Sequence, residues 1–296
     1  MLGCNCNAGL ANTGRPNCLP IQSVTSKLIM VPLYGNDGLA NGIDLSSPLP
    51  TWNDLINEPD ASKRWFPLPT FENVELPKAD SQFEEASSGR MVFLRQGKRS
   101  FSGELWAEDS SPTLLSKLQN NRCVDFGVYI VDVNGNLVGS KQDGKLLPIP
   151  VDNPSFDPKY MFATDSTTSK IMVAFDFDRL FDEGTMYMIT PTEAGVNFND
   201  LNGLIDVNFT TTALSSTTLV ADLALDYGTA LNPIKFIGAL PADFTITING
   251  APGSLTSVTE GPDGTYTFVF TATTGDDVTI ALDKDGYDGE ISFTAL

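Results

Sequence analysis

The sequence predicts a mainly β protein built as two units, and three observations carry that prediction. Short runs with apolar residues at alternate positions recur along the chain, as in Val124, Phe126, Val128 and Ile130, or Tyr266, Phe268 and Phe270. Clusters of Gly, Asn, Asp and Pro punctuate these runs, as turns between strands require. Composition then shifts near Gly203: residues 204–296 hold two bases against twelve acids, whereas the preceding part holds sixteen against twenty-five. A chain of 296 residues is long enough for two units that each bury a core.

Taken in order, residues 1–26 are rich in Gly, Asn, Pro and Ser, lack periodicity, and read as an extended arm. The body is expected over residues 27–203. It opens with a strand at Lys27–Leu33, closed by the turn-like YGNDGLANG. Residues 48–68 carry Pro48, Pro50, Pro59 and Pro67 with Trp52 and Trp65, and read as a long ordered loop. Two tryptophans are costly to leave in water, so they either fill this chain's own core or anchor it to a neighbouring subunit. The anchor reading is adopted as the expectation, because so long a structureless segment usually binds something.

FENVELP begins the next strands, and MVFLRQGKRSFSGELWAED reads as two strands around the turn Gln96-Gly97-Lys98. SPTLLSKL is the one convincing helix: Ser111 suits the N-cap, Pro112 the first turn, and Leu114, Leu115 and Leu118 form one apolar stripe. Cys123–Gly139 predicts a hairpin with a two-residue type I′ turn at Asn134-Gly135. LLPIPV, SKIMVAFDFD and TMYMIT supply further strands. After Gly203, seven strand-like segments follow in about ninety residues: IDVNFTTT, TTLVADLALDY, NPIKFIGAL, DFTITING, TYTFVFTA, DVTIALD and EISFTAL. That spacing predicts an immunoglobulin-like sandwich over 204–296, although the Cys-Trp-Cys core of antibody domains is missing.

Charge and residue inventory narrow the function. A net charge of −19 repels nucleic acid and argues against a protein that grips it. No histidine occurs, which removes the commonest general base and zinc ligand, so the chain is expected not to be an enzyme. Cys4, Cys6, Cys18 and Cys123 lack the spacing of a zinc site. Asp132, Asn134 and Asn136 match the first ligands of a calcium loop, but Leu137 replaces its glycine and Asp143 its closing glutamate. DKDGYDGE (283–290) is acidic in the manner of a calcium site, yet fits a hairpin turn better. Asp176 and Asp178 alternate with Phe175 and Phe177, as on the wet face of a strand rather than in a catalytic pair. No cofactor or metal is therefore expected. The amino terminus lacks the regions of an export signal, only three residues precede Cys4 in its lipoprotein-like LGC, and no apolar run reaches membrane-spanning length. Arg90, Arg95, Lys98 and Arg99 form the one dense basic patch, interleaved with Phe93 and Phe101. It suits pairing with an acidic neighbouring subunit.

The succession RQGKRSFSGELW, SPTLLSKL and CVDFGVYIVDVNGNLVG, set between an amino-terminal arm and a carboxy-terminal Ig-like unit, resembles the major tail tube proteins of long-tailed bacteriophages. The resemblance is architectural and covers about residues 27–200, with the Ig-like unit as decoration. It implies a non-enzymatic virion protein, made in the host cytoplasm, that forms stacked rings, hexameric in that family. Their sheets join into an inner barrel through which double-stranded DNA passes without specific binding. Arm and long loop bridge neighbours, and Trp52, Trp65, Arg95, Lys98 and Arg99 are the expected interface residues. Other virion proteins are implied partners; a membrane is not. Two other readings stay open: a head-decoration or head-fibre protein, and a surface adhesin or carbohydrate-binding module. A hydrolase using acidic residues comes third.

Overall fold

A computed structural model describes residues 14, 21–46, 48–229 and 231–296. The expectations for most of the arm, including Cys4, Cys6 and Cys18, lie outside the described residues. The fold is mainly β, as the sequence predicts.

Strand Thr25–Pro32 is buried at seven of eight positions and strand Phe126–Asp132 at all seven. They pair antiparallel, Ile29 opposite Tyr129, inside an eight-stranded sheet. Such continuous burial means that both faces of the sheet are covered. On one face Leu28, Met30, Val128 and Ile130 pack against Phe101, Leu105, Ile171 and Phe175. Those partners belong to a four-stranded sheet ordered Asp157–Met161, Lys170–Asp176, Ser100–Trp106, Glu72–Glu75. Phe101 and Phe175 stack at 4.9 Å in this first core. On the other face Ile29, Val31, Tyr129 and Val131 meet Trp52, Ile56, Trp65, Phe198 and Leu201. The long loop and the segment before the second unit thus form a third layer. The loop is more regular than expected, with a short helix at Trp52–Ile56. Buried Tyr129, its phenol pushed up by that burial, donates to the Leu146 carbonyl at 2.7 Å.

The predicted helix is present at Pro112–Asn120, and Ser111 Oγ accepts from the Leu114 N–H at 3.1 Å. Leu118 is fully buried, while Leu114 and Leu115 pack at the rim of the first core. Two local expectations are corrected. Met91–Arg95 and Ser100–Trp106 do not form a hairpin with each other. Met91–Arg95 pairs with Gln82–Glu85 in a separate two-stranded ribbon, whereas Ser100–Trp106 enters the four-stranded sheet. The turn at 132–136 is also not type I′. Gly135 alone has positive φ; Val131 faces Leu137 and Asp132 N–H donates to the Asn136 carbonyl at 3.1 Å, leaving a three-residue loop, 133–135, closed by Gly135 N–H to the Asp132 carbonyl at 2.9 Å. That is a type I turn with a glycine bulge.

In residues 204–296 the seven expected strands are found, with two more at Ala251–Pro252 and Leu255–Glu260. Strand Ile205–Leu214 pairs in parallel with Tyr287–Thr294 at its start and antiparallel with Thr218–Thr229 beyond, so it joins two sheets. Leu219, Leu223, Tyr266 and Phe268 from one sheet and Phe244, Ile246, Val278 and Ile280 from the other share a separate core. DKDGYDGE is the hairpin turn expected, between Asp277–Lys284 and Tyr287–Thr294.

Candidate assembly surface

The feature that stands apart from these cores is the ribbon spanning residues 77–100. Its root is tied to the body. Ser100 N–H donates to the Pro77 carbonyl at 3.0 Å and Ala79 N–H to Lys98 at 2.8 Å. The two chains cross so closely at Gly97 that an added Cβ would lie 1.6 Å from the Ala79 oxygen, so only glycine fits. Lys78 and Arg99 both reach Glu183, at 2.6 and 2.8 Å, and Lys98 reaches Asp176 at 2.5 Å. The bond from Lys78, joined by Arg99 and opposed by partial burial, holds the Glu183 carboxyl below the ordinary glutamate range.

Beyond that root both strands are exposed at every position. Phe83, Met91, Phe93 and Leu94 are 53–58% exposed and Val92 44%. Phe83 faces Phe93 across the ribbon, edge to face at 5.6 Å, and Glu85 faces Met91. Cross-strand partners point to one side, so Phe83, Phe93 and Met91 share a face while Val92 lies on the other with Glu84. A monomer gains nothing from displaying five large apolar side chains on a thin ribbon, and such patches mark interaction sites.

The expected interface residues divide. Arg95 stands on the ribbon and donates to Gln82 at 2.7 Å. Lys98 and Arg99 are at its root, engaged by acids of their own chain. Trp52 and Trp65 are corrected: they are 6% and 3% exposed and fill the second core. Trp65 packs on Tyr129 at 5.0 Å, Trp52 on Phe198 at 4.8 Å, and Trp52 Nε1 donates to the Ala194 carbonyl at 2.8 Å. Burying indole inside the body, with its N–H satisfied, wins over displaying it. The sequence reading missed Phe83 and the run Met91–Leu94. Their signal was an apolar run, MVFL, bounded by Arg90 and Arg95, which the expected pairing with Ser100–Trp106 hid.

Other candidate chemistry is accounted for locally. Asp132 is fully buried and accepts four bonds: from Asn134 N–H and Asn136 N–H on one oxygen, and from Ser23 N–H and Asn136 Nδ2 on the other. Those donors occupy the oxygens a calcium ion would need. Among the described residues no group of three or more acidic or cysteine side chains could hold a metal. Asp176 accepts from Ser100 Oγ at 2.7 Å and Asp178 from the Leu180 N–H at 2.6 Å. An open cleft of about 720 Å³ lies where the second unit begins, lined in part by Lys27, Asp109, Lys117 and Tyr227. Its cations are already engaged: Lys117 with Asp206 and Asp226, Arg64 with Asp288, and Lys27 with the carbonyls of Asn199 and Leu201.

No known family matches the chain, and no curated protein matches it either.

Proposed function

We propose that this chain is a self-assembling structural protein of a virion, the tail tube subunit of a long-tailed bacteriophage, with residues 204–296 as an Ig-like decoration outside the tube. The observation that carries the reading is the ribbon: a two-stranded arm, apolar on both faces, projecting from a rigidly packed body. The twin-core body supports it, because a subunit that must keep its shape under load needs a tightly covered central sheet. The acidic balance suits a conduit along which phosphates pass without sticking. The C-terminal pair of sheets shares its own core, as an appended unit would.

Electron microscopy of the purified chain, with sedimentation velocity across concentration, tests this reading. Stacked rings or tubes are expected. A chain that remains monomeric at high concentration overturns it, and a closed trimer favours the head-decoration reading instead.

A further inference from the structure

We infer that residues 204–296 are held against the body by an ionic latch, Lys117 to Asp206 and Asp226 and Arg64 to Asp288, and swing about a single chain crossing at Leu204–Ile205 when the latch is broken. This goes beyond the assembly reading and does not depend on it.

The apolar interior does not join the two units. Among the described residues the two cores of the body take in nothing later than Leu204, and the core of the second unit nothing earlier than Val207. The chain passes between them once. Leu204 still packs on the body, whereas the Ile205 N–H already donates to the Gly286 carbonyl at 3.0 Å. Beside this crossing the cleft of about 720 Å³ stays open, with Leu114 and Lys117 on the body's side and Ile205, Asp206 and Tyr227 on the other. Undocking therefore uncovers little apolar surface, and what holds the units together is polar.

The near end of the second unit is a group of carboxylates. Asp206 faces Asp288 across paired strands, Asp288 faces Asp283, and Asp285 stands in the adjoining turn. Strand Thr218–Thr229 adds Asp226. Lys284, one of the unit's two bases, is taken by Asp243 instead. The counter-charges come from the body. Lys117, on the helix Pro112–Asn120, lies 2.7 Å from Asp206 and 3.1 Å from Asp226, with its ammonium 5.3 Å from the Tyr227 ring centre. Arg64 bonds Asp288 and is steadied from behind by the Glu58 carbonyl at 2.6 Å. Asn57 adds a bond to Asp285 at 3.2 Å. Asp109, on the body's side of the cleft, is a like charge that opposes docking.

Breaking the latch reverses the force between the units. Sixteen bases against twenty-five acids in the body, and two against twelve in the second unit, leave both strongly negative. Seated cations turn that repulsion into local attraction; without them the acidic end is pushed from an acidic body, with one chain crossing to restrain it.

Thermolysin cutting before Leu204 or Ile205 reads the swing, measured on the dilute chain with the exposed ribbon run Met91–Leu94 as internal reference. Lys117→Glu should raise cutting at the crossing about tenfold or more, and Lys117→Met less, as expected for losing two partly exposed pairs with or without added repulsion. Adding Asp206→Lys to Lys117→Glu should restore part of the resistance, which repair of mere packing damage would not do. Near-ultraviolet circular dichroism checks that the cores stay intact. Small-angle X-ray scattering should show a larger maximum dimension for Lys117→Glu. A crossing as resistant in Lys117→Glu as in wild type shows that ions do not hold the unit. Ready cutting that Asp206→Lys fails to reverse shows that charge is not the holding force, and ready cutting at unchanged dimension shows fraying without a swing; each overturns the latch. A chain that never assembles leaves it standing.

Discussion

Changing Trp65 to Ala should destabilise the body itself. Trp65 is 3% exposed, with its ring 5.0 Å from Tyr129 and 5.9 Å from Trp52. Tyr129 lies on the central sheet, so the ring bridges the loop layer to that sheet. Deleting a buried indole costs about 3–5 kcal/mol, a sum of lost transfer energy and the cavity left behind. The upper half is favoured here, because the neighbouring rings are fixed by their own partners and cannot collapse into the void. For a unit of 150–250 residues each kcal/mol moves the midpoint by about 2–4 °C, which gives a fall of roughly 6–20 °C. Differential scanning calorimetry of the full chain reads this directly, with near-ultraviolet circular dichroism to follow aromatic packing. Phe93→Ser is the control: it lies on the ribbon, 53% exposed, and should change stability by no more than about 0.5 kcal/mol. A Trp65→Ala chain that melts within about 2 °C of wild type yet fails to assemble would refute the reasoning. The tryptophan would then be an anchor between subunits.

Three further outcomes follow from local geometry. Ser111→Ala removes the acceptor for Leu114 N–H and should cost about 1 kcal/mol in urea denaturation, with Ser111→Asp retaining most of it. Asp132→Ala strands four donors, each worth about 1–3 kcal/mol when left unpaired, so a loss of at least about 2 kcal/mol is expected; calcium should not raise the wild-type melting temperature, and a clear rise would reverse that view of the loop. Burial opposes the charge on Lys117, but its bonds to Asp206 and Asp226 outweigh that and hold the ammonium above the ordinary lysine range. A raised folded value gives stability that is full below the ordinary lysine range and fades as pH rises through the folded value. Lys117→Met should therefore melt below wild type near neutrality and converge with it as pH rises beyond the ordinary lysine range, in thermal melts across that range.

Strand existence was legible wherever one or both faces of a strand are buried. KLIMVPL and FGVYIVD stand out because the central sheet is covered twice, and TYTFVFTA because its inner face fills the third core. The helix was legible from its cap, since Ser111-Pro112 specifies a start that tertiary contacts do not override. Pairing was not. Met91–Arg95 and Ser100–Trp106 are adjacent strands with a plausible turn between them, and nothing local says that Gly97 marks a chain crossing instead of a hairpin tip. Only the backbone contact with Ala79, eighteen residues upstream, makes that distinction. The tryptophans failed for a related reason. Residue type says that indole seeks burial, but the layer that buries it includes Phe198 and Leu201, far along the chain.

The length of the ribbon has a physical reason once the charge is considered. Copies of a chain at −19 repel one another, and that repulsion acts over a screening length of about 8–10 Å at ordinary salt. From its root at Pro77 and Ser100 the ribbon extends about ten residues to its tip, roughly 30 Å at strand rise. Arg90, near the tip, therefore stands several screening lengths from the acids at the root, and Arg95 about two. At that distance the tip, where Arg90 stands against Glu84 and Glu85, is free of the field of the strongly acidic body and carries its apolar side chains clear of it. A short loop carrying the same residues would sit within the field of Asp176 and Glu183, which already bind Lys98, Lys78 and Arg99 at the root. The division of labour along the ribbon follows: bases at the root are spent on fixing it to the body, whereas Arg90 and Arg95 farther out form no ion pair among the described residues. Apolar side chains between them supply what charge cannot, because attraction between exposed ions is weak and largely screened, while burying Phe83, Met91 and Phe93 is not.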